Sequence, residues 1–277
     1  MPAAYTPVPP GNGRPSRNHP MTLMPDPVLA GICAIAVMAK APRPGHVKTR
    51  LQAVVTSDEA AQLGAAFLQD VTGNLRAAAG LAPIHPYVAY APAGQEARFD
   101  GLLAPGTGLV LADGAGGDAE GVEGLGRSLL HATRALLARG YGAACLLNAD
   151  SPTLPTAWLA DAAHRLLQPG RRAVLGPADD GGYWLVGTQA EEPALYVRIP
   201  WSTDAVAATT QLRAAEAGIP LDVLGTWYDV DDRNGLHRLL GDLDGAAKSA
   251  GHPYAAPATA ACLEMLDLRA RMGTQPA

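Results

Sequence analysis

Two hydrophobic periods alternate along this chain. Short runs of uninterrupted apolar residues are separated by longer stretches in which apolar residues recur every three or four positions. The runs at 32–38 (Ile-Cys-Ala-Ile-Ala-Val-Met) and 143–149 suit strands covered on both faces, as in a parallel sheet between helix layers. Further strands are expected at 84–90, 108–111, 173–177 and 221–227, and a return strand from Tyr183 to Gly187. Leu63, Phe67, Val71 and Leu75, behind a helix start at Ser57-Asp58-Glu59, make one buried stripe. Helices are also expected at 93–103, 127–139, 156–167, 205–217 with Ser202 or Thr203 as N-cap, one opened by the segment 228–236, and at 259–271. Strands alternating with helices predict an α/β protein with a mostly parallel sheet.

Composition narrows the partners. The 277 residues are 48% hydrophobic with a net charge of -5, enough for one sizeable core and without a basic stripe for nucleic acid. No apolar stretch approaches the ~18 residues of a membrane span. Small-molecule substrates, with neither nucleic acid nor membrane as partner, are therefore expected. Residues 1–27 are crowded with proline and predict a disordered tail, followed by one domain over 28–250 and a C-terminal extension over 251–277 with a single helix. Cys33, Cys145 and Cys262 lack any C-x-x-C pairing, so they read as small buried hydrophobes in a reducing cytoplasm.

Charged residues gather where strands end. The run 143–149 delivers Asp150, followed by Ser151-Pro152, to a strand's carboxyl end, where open α/β sheets bind ligands. After the first strand, Lys40, Arg43, Lys48 and Arg50 share one loop stiffened by Pro42, Pro44 and Gly45, and can converge on an anion such as phosphate. Asp179-Asp180-Gly181-Gly182-Tyr183 joins a doubled acid to a doubled glycine, and Trp201 stands ahead of a helix as a candidate pocket wall. A glycine-rich acidic loop from Asp113 to Gly126 feeds a helix amino end, where backbone N–H groups can hold an acidic group or a base edge. Asp150 with one of Asp229 or Asp231 gives two carboxylates on separate strand ends, a sparse oxygen set that suits Mg²⁺ or Mn²⁺ with phosphate oxygens completing the shell. Neither a Walker loop, H-E-x-x-H nor G-x-G-x-x-G is present.

The strings Ala39–Leu51, Asn148–Pro155, Leu175–Gly187, Trp201-Ser202-Thr203 and Asp229-Val230-Asp231 resemble the successive motifs of the rSAM/selenodomain-associated transferase family. That family is similar to nucleotide-diphospho-sugar transferases of GT-A fold and, more distantly, to phospholactate guanylyltransferase and the molybdenum cofactor nucleotidyltransferase. The resemblance covers roughly residues 30 to 240. It implies a GT-A, Rossmann-like three-layer sandwich with a mostly parallel central sheet and one antiparallel strand. It also implies that Lys48, Arg50 and Lys40 contact the phosphates of a nucleotide co-substrate, an NTP or an NDP-sugar, with Arg43 and Gly126 on the same side. Asp150 and Asp231 would hold the metal, and Asp180, Gly181, Gly182 and Tyr183 would line the acceptor side with Trp201, Ser202 and Thr203. Where the family carries an Asp-Leu-Gly-Glu-Arg-like segment, this chain has Glu123-Gly124-Leu125-Gly126-Arg127-Ser128, and a carboxylate is lost.

Three functions share this machinery. Nucleotidyl transfer from an NTP to a small phosphorylated or acidic acceptor is slightly favoured, with Lys48, Arg50, Asp150 and Asp180 as catalytic candidates. Glycosyl transfer from an NDP-sugar uses the same residues. A nucleotide-binding protein without catalysis is the third.

Overall fold

The computed structural model describes residues 28–116, 118–245 and 251–273. The expected N-terminal tail, and residues 246–250 at the end of the expected domain, lie outside these. Seven strands form one sheet: β1 (Cys33–Ala39), β2 (Ile84–Tyr90), β3 (Gly108–Leu111), β4 (Ala143–Leu147), β5 (Ala173–Pro177), β6 (Tyr183–Thr188) and β7 (Leu221–Val223). Their order is β3-β2-β1-β4-β6-β5-β7. All neighbours run parallel except β6, which pairs antiparallel with both β4 and β5. The mostly parallel sheet with one antiparallel strand is thus as the sequence implies.

Helices cover both faces. Alternate residues of β1 and β4 explain why their sequences are apolar throughout. Cys33, Ile35, Val37, Ala143, Cys145 and Leu147 face α1 (Ser57–Ala78), α3 (Thr156–Leu166) and α5 (Arg233–Leu243). Ala34, Ala36, Ala144 and Leu146 face α2 (Leu125–Leu137) and α4 (Val206–Glu216). All three cysteines are buried free thiols, as expected of small hydrophobes. No helix among the described residues is long and apolar enough to cross a membrane.

Several element boundaries differ from the sequence reading, each for a local reason. Helix α1 starts at Ser57 as expected, with Thr56 as its N-cap in a reciprocal capping box with Glu59. The helix expected at 93–103 is only a 3-10 turn, Glu96–Phe99, because Gly94 and Gly101 both take positive φ. Neither Ser202 nor Thr203 caps α4 as a helix N-cap; Thr203 instead closes the preceding turn through Pro200 O and Ala205 N. The last strand ends at Val223, since the indole of Trp158 packs against Gly225, and the chain rejoins the sheet only at a single bridge between Trp227 and Ala178. The single C-terminal helix is two, α6 (Pro257–Met265) and α7 (Leu268–Gly273), broken at Asp267 with φ of 50°.

That C-terminal pair docks on α1. Ala256, at the start of α6, is left-handed and offers no side-chain cap. Asp70 of α1 supplies it from outside, accepting from Ala258 N at 3.1 Å and Thr259 N at 2.6 Å. Asp70→Ala is predicted to lower stability by about 1–2 kcal/mol and to raise amide exchange at Ala258 and Thr259. Unchanged denaturation midpoints and unchanged exchange would show that the cap does not hold the extension.

Candidate active site

Parallel strands bring their carboxyl ends to one edge of the sheet, and the chemistry-bearing residues follow. Lys40 succeeds β1, Asp150 follows β4, and Asp179 and Asp180 follow β5. The segment 227–231 is drawn to the same edge by backbone bonds. Trp227 N donates to Pro177 O, Asp179 N to Trp227 O, and Val230 N to Asp150 O at 2.8 Å. Ser151 Oγ donates to Tyr228 O at 2.8 Å. These links set Asp229 and Asp231 beside Asp150.

Lys48 stands between the acids. Its Nζ lies 2.6 Å from Asp150 Oδ1 and 3.3 Å from Asp231 Oδ1, and donates to Val230 O at 2.8 Å. The Phe67 ring sits 4.9 Å away, and the side chain is only 5% exposed. Both carboxylate oxygens touch one ammonium, so they lie no farther apart than those two distances together. Lys48 itself is left-handed, φ 50° and ψ 39°, a conformation that costs a non-glycine residue about 1–2 kcal/mol. Two of the ammonium's hydrogen bonds go to Val230 O and Asp231 Oδ1, and Asp150 is held as an ion pair. Lys48 thus stands against the carboxylates in this ligand-free structure, beside the place where the sequence reading expects phosphate.

The other cations are differently placed. Lys40 and Arg43 line a hollow with His46, Gln95 and Asp113, and neither makes an ion pair among the described residues. Arg50 is exposed, with Nη1 3.9 Å from Asp231 Oδ2. The hollow of Lys40 adjoins one that contains Lys48, Asp150 and Asp231, which in turn adjoins a wider one with Asn148, Asp180, Tyr183, Trp201 and Asp229. Ser202 and Thr203 complete that last wall. These adjoining hollows pass from cations that make no ion pair among the described residues, past paired acids, to an aromatic and hydroxyl end.

The glycines act by packing. Asp180 Oδ1 accepts from Gly182 N at 2.8 Å, closing its own turn. A Cβ on Gly181 would sit 2.0 Å from Asp204 O, so only glycine lets this turn lie against the chain entering α4. Gly126, expected near the nucleotide, is buried in α2 under Trp201, whose Nε1 donates to Glu123 O. It lines none of these hollows. One residue gains weight that its sequence did not give it: Asn148 lines the acceptor end with a buried Oδ1 that has no hydrogen-bond partner among the described residues. Only its neighbours in the motif pointed to it. Asp229, one of the two carboxylates the sequence offered beside Asp150, lines the same hollow as Asp180 and Asp231.

The residues present suit a hard cation held by few protein oxygens. Asp150 and Asp231 already bracket a positive charge, and no group of three His, Cys, Asp or Glu side chains among the described residues forms a metal cage by itself. Mg²⁺ is commonly held through one or two carboxylates plus waters and phosphates. Asp229 records the crowding: burial, then the charges of Asp180, Asp231 and Asp150, push its carboxyl up to about 6.

A carboxyl whose folded pKa is raised is protonated in the native protein when it is already ionised in the unfolded chain. Its cost to stability is absent below the ordinary aspartate range, grows as pH rises through about 4 to 6, and is complete above that. Asp229→Asn is therefore predicted to be more stable than the parent at pH 7.5, with the difference vanishing near pH 4. Thermal unfolding of both proteins across this range checks it, and a difference independent of pH would contradict it.

Residues 74–203 match the family described as "Uncharacterized protein conserved in bacteria (DUF2064)". No curated protein matches the chain. Among solved structures, a "putative nucleotide-diphospho-sugar transferase" from Desulfovibrio desulfuricans G20 superposes with a TM-score of 0.71 at 28% identity, covering 87% of this chain and 96% of that one. CMP:2-keto-3-deoxy-manno-octonic acid synthetase complexed with CTP gives 0.49 at 12% identity, over 78% of this chain and 100% of the other. A cytidylyltransferase from Leptospira borgpetersenii gives 0.47 at 11%, over 88% and 98%. The chain has the fold of the Desulfovibrio protein described as a "putative nucleotide-diphospho-sugar transferase", and its residues 74–203 carry the match to the DUF2064 family.

Proposed function

We propose that this protein is a metal-dependent, nucleotide-using transferase that moves a nucleotidyl group from an NTP to a small phosphorylated or acidic acceptor. The observation that carries this reading is the order of groups along the groove. Lys40 and Arg43, without an ion pair among the described residues, stand at one end, the Asp150–Lys48–Asp231 cluster at the centre, and Asp180, Tyr183 and the 201–203 segment at the other. A triphosphate laid on the cationic end presents its α-phosphorus to the centre, and an acceptor at the far end attacks from the opposite side. The acceptor oxygen forms the new P–O bond, the bond to pyrophosphate breaks, and Lys40 and Arg43 take up the departing charge. Asp150 and Asp231 would hold Mg²⁺ or Mn²⁺, which supplies neutralisation of the phosphate oxygens when bound. Asp180 and Trp201 orient the acceptor, and Arg50, exposed beside Asp231, is free to meet its anionic group.

A second reading, glycosyl transfer from an NDP-sugar, is favoured by the name of the Desulfovibrio structure. There the acceptor attacks the anomeric carbon and the nucleoside diphosphate leaves, with the same cations receiving it. Titration of the four NTPs and of common NDP-sugars, with and without Mg²⁺, separates the readings when combined with assay of pyrophosphate release. Tight Mg²⁺-dependent binding of an NTP with pyrophosphate release supports nucleotidyl transfer; binding of an NDP-sugar alone supports the second. Asp150→Asn is predicted to weaken the Mg²⁺-dependent affinity by at least about ten-fold. Equal affinity with and without the ion, in parent and variant alike, would contradict metal dependence.

A further inference from the structure

Lys48 stands where a divalent ion between Asp150 and Asp231 would have to be. Its Nζ lies 2.6 Å from Asp150 Oδ1 and 3.3 Å from Asp231 Oδ1, with Val230 O and the Phe67 ring also against it. An ion bonded to Asp150 Oδ1 at about 2.1 Å would lie within about 4.7 Å of the ammonium even on the far side of that oxygen, and closer if it also met Asp231. Two cations so placed repel each other. The obstruction is local, because the wider hollow beside these acids is itself acidic, lined by Asp180, Asp204 and Asp229 against Arg50. Such a lining draws a cation in. What keeps one off Asp150 and Asp231 is the ammonium already seated there. That ammonium also has somewhere to go: Lys40, Lys48, Asp150 and Asp231 line one hollow, so a phosphate that enters it meets both lysines. The seated arrangement is held by its ion pairs against the cost of a left-handed backbone at Lys48.

We infer that the Lys48 ammonium takes the place of the divalent ion in the nucleotide-free protein, that ammonium and ion exclude each other at Asp150 and Asp231, and that nucleotide phosphates release the seat by taking the ammonium onto themselves. The inference rests on the metal-dependent reading above and adds an order to it. Ion and nucleotide enter together, each favouring the other. A lysine that only positioned the two acids makes the opposite forecast, since removing its charge would let like charges move apart and would loosen the ion.

Mn²⁺ binding to the nucleotide-free, full-length protein at pH 7.5, followed by electron paramagnetic resonance and by calorimetry, tests this without recourse to activity. Lys48→Met keeps most of the side chain's length and removes its charge. It is expected to bind Mn²⁺ at least about ten-fold more tightly than the parent, as loss of a unit charge at ~4 Å from a divalent ion requires. Equal or weaker binding by Lys48→Met would overturn the inference and leave the metal-dependent reading standing. Absence of binding by both proteins would overturn it too, and the metal-dependent reading would then rest on the nucleotide titrations above. Should Lys48→Met fail to fold, crystals of the parent soaked in Mn²⁺ without nucleotide decide. Acids free of Mn²⁺, or Mn²⁺ on them with Lys48 turned away, support the inference. Mn²⁺ in contact with Asp150 or Asp231 while Lys48 still holds both contradicts it.

Discussion

The ammonium of Lys48 is the contact on which the candidate site depends. Asp150 follows β4 and Asp231 lies in the irregular segment after β7, and like charges so close would repel one another in a partly dry groove. The lysine offsets that repulsion. Taking an ammonium almost wholly out of water costs several kcal/mol, and here two carboxylates, a carbonyl and an aromatic face offset the loss. Because both acids keep about a third of their surface exposed, the cluster is sealed below by Lys48 and Phe67 and open above to the groove.

Everything else in the fold can be described by how it brings those three residues together. Continuous apolar runs in β1 and β4 bury both faces of adjacent strands, which fixes the β1 loop beside Asp150. The antiparallel β6 inserts between β4 and β5, separates them by one strand, and opens space for the 227–231 segment to cross from Pro177 to Asp150. Trp184 of β6 anchors that crossing by donating to Gly225 O. Behind it, Tyr228 and Thr153 share the buried Asp242 carboxylate, so the segment is held from the side opposite the groove as well.

Much of this was legible in the sequence, and the division follows a physical line. Strands with two buried faces announce themselves as unbroken apolar runs, and the residue that ends each run is placed at the sheet edge by topology. Asp150, Asp180 and the Lys40 loop were found in that way. Which side chains then meet is a tertiary matter. Nothing local distinguishes Lys48, paired with acids, from Lys40, which makes no ion pair among the described residues, although both lie in one loop. Gly126 and Gly181 resemble ligand-binding glycines until the indole of Trp201 and the backbone of Asp204 are seen against them. Asp229 and Asp231 are equivalent in sequence, and only the hydrogen bond from Val230 N to Asp150 O decides that they flank the site together.

The central claim of the proposed function is that the groove at the carboxyl edge binds a nucleotide and a divalent ion through the residues gathered around Lys48. Crystals grown with Mn²⁺ and a non-hydrolysable NTP analogue, with anomalous diffraction to locate the ion, test it most directly. The account predicts one anomalous peak in contact with carboxylate oxygens of Asp150 and Asp231, with the phosphates lying toward Lys40 and Arg43. A nucleotide bound away from this edge, or an ion that avoids both aspartates, would contradict it.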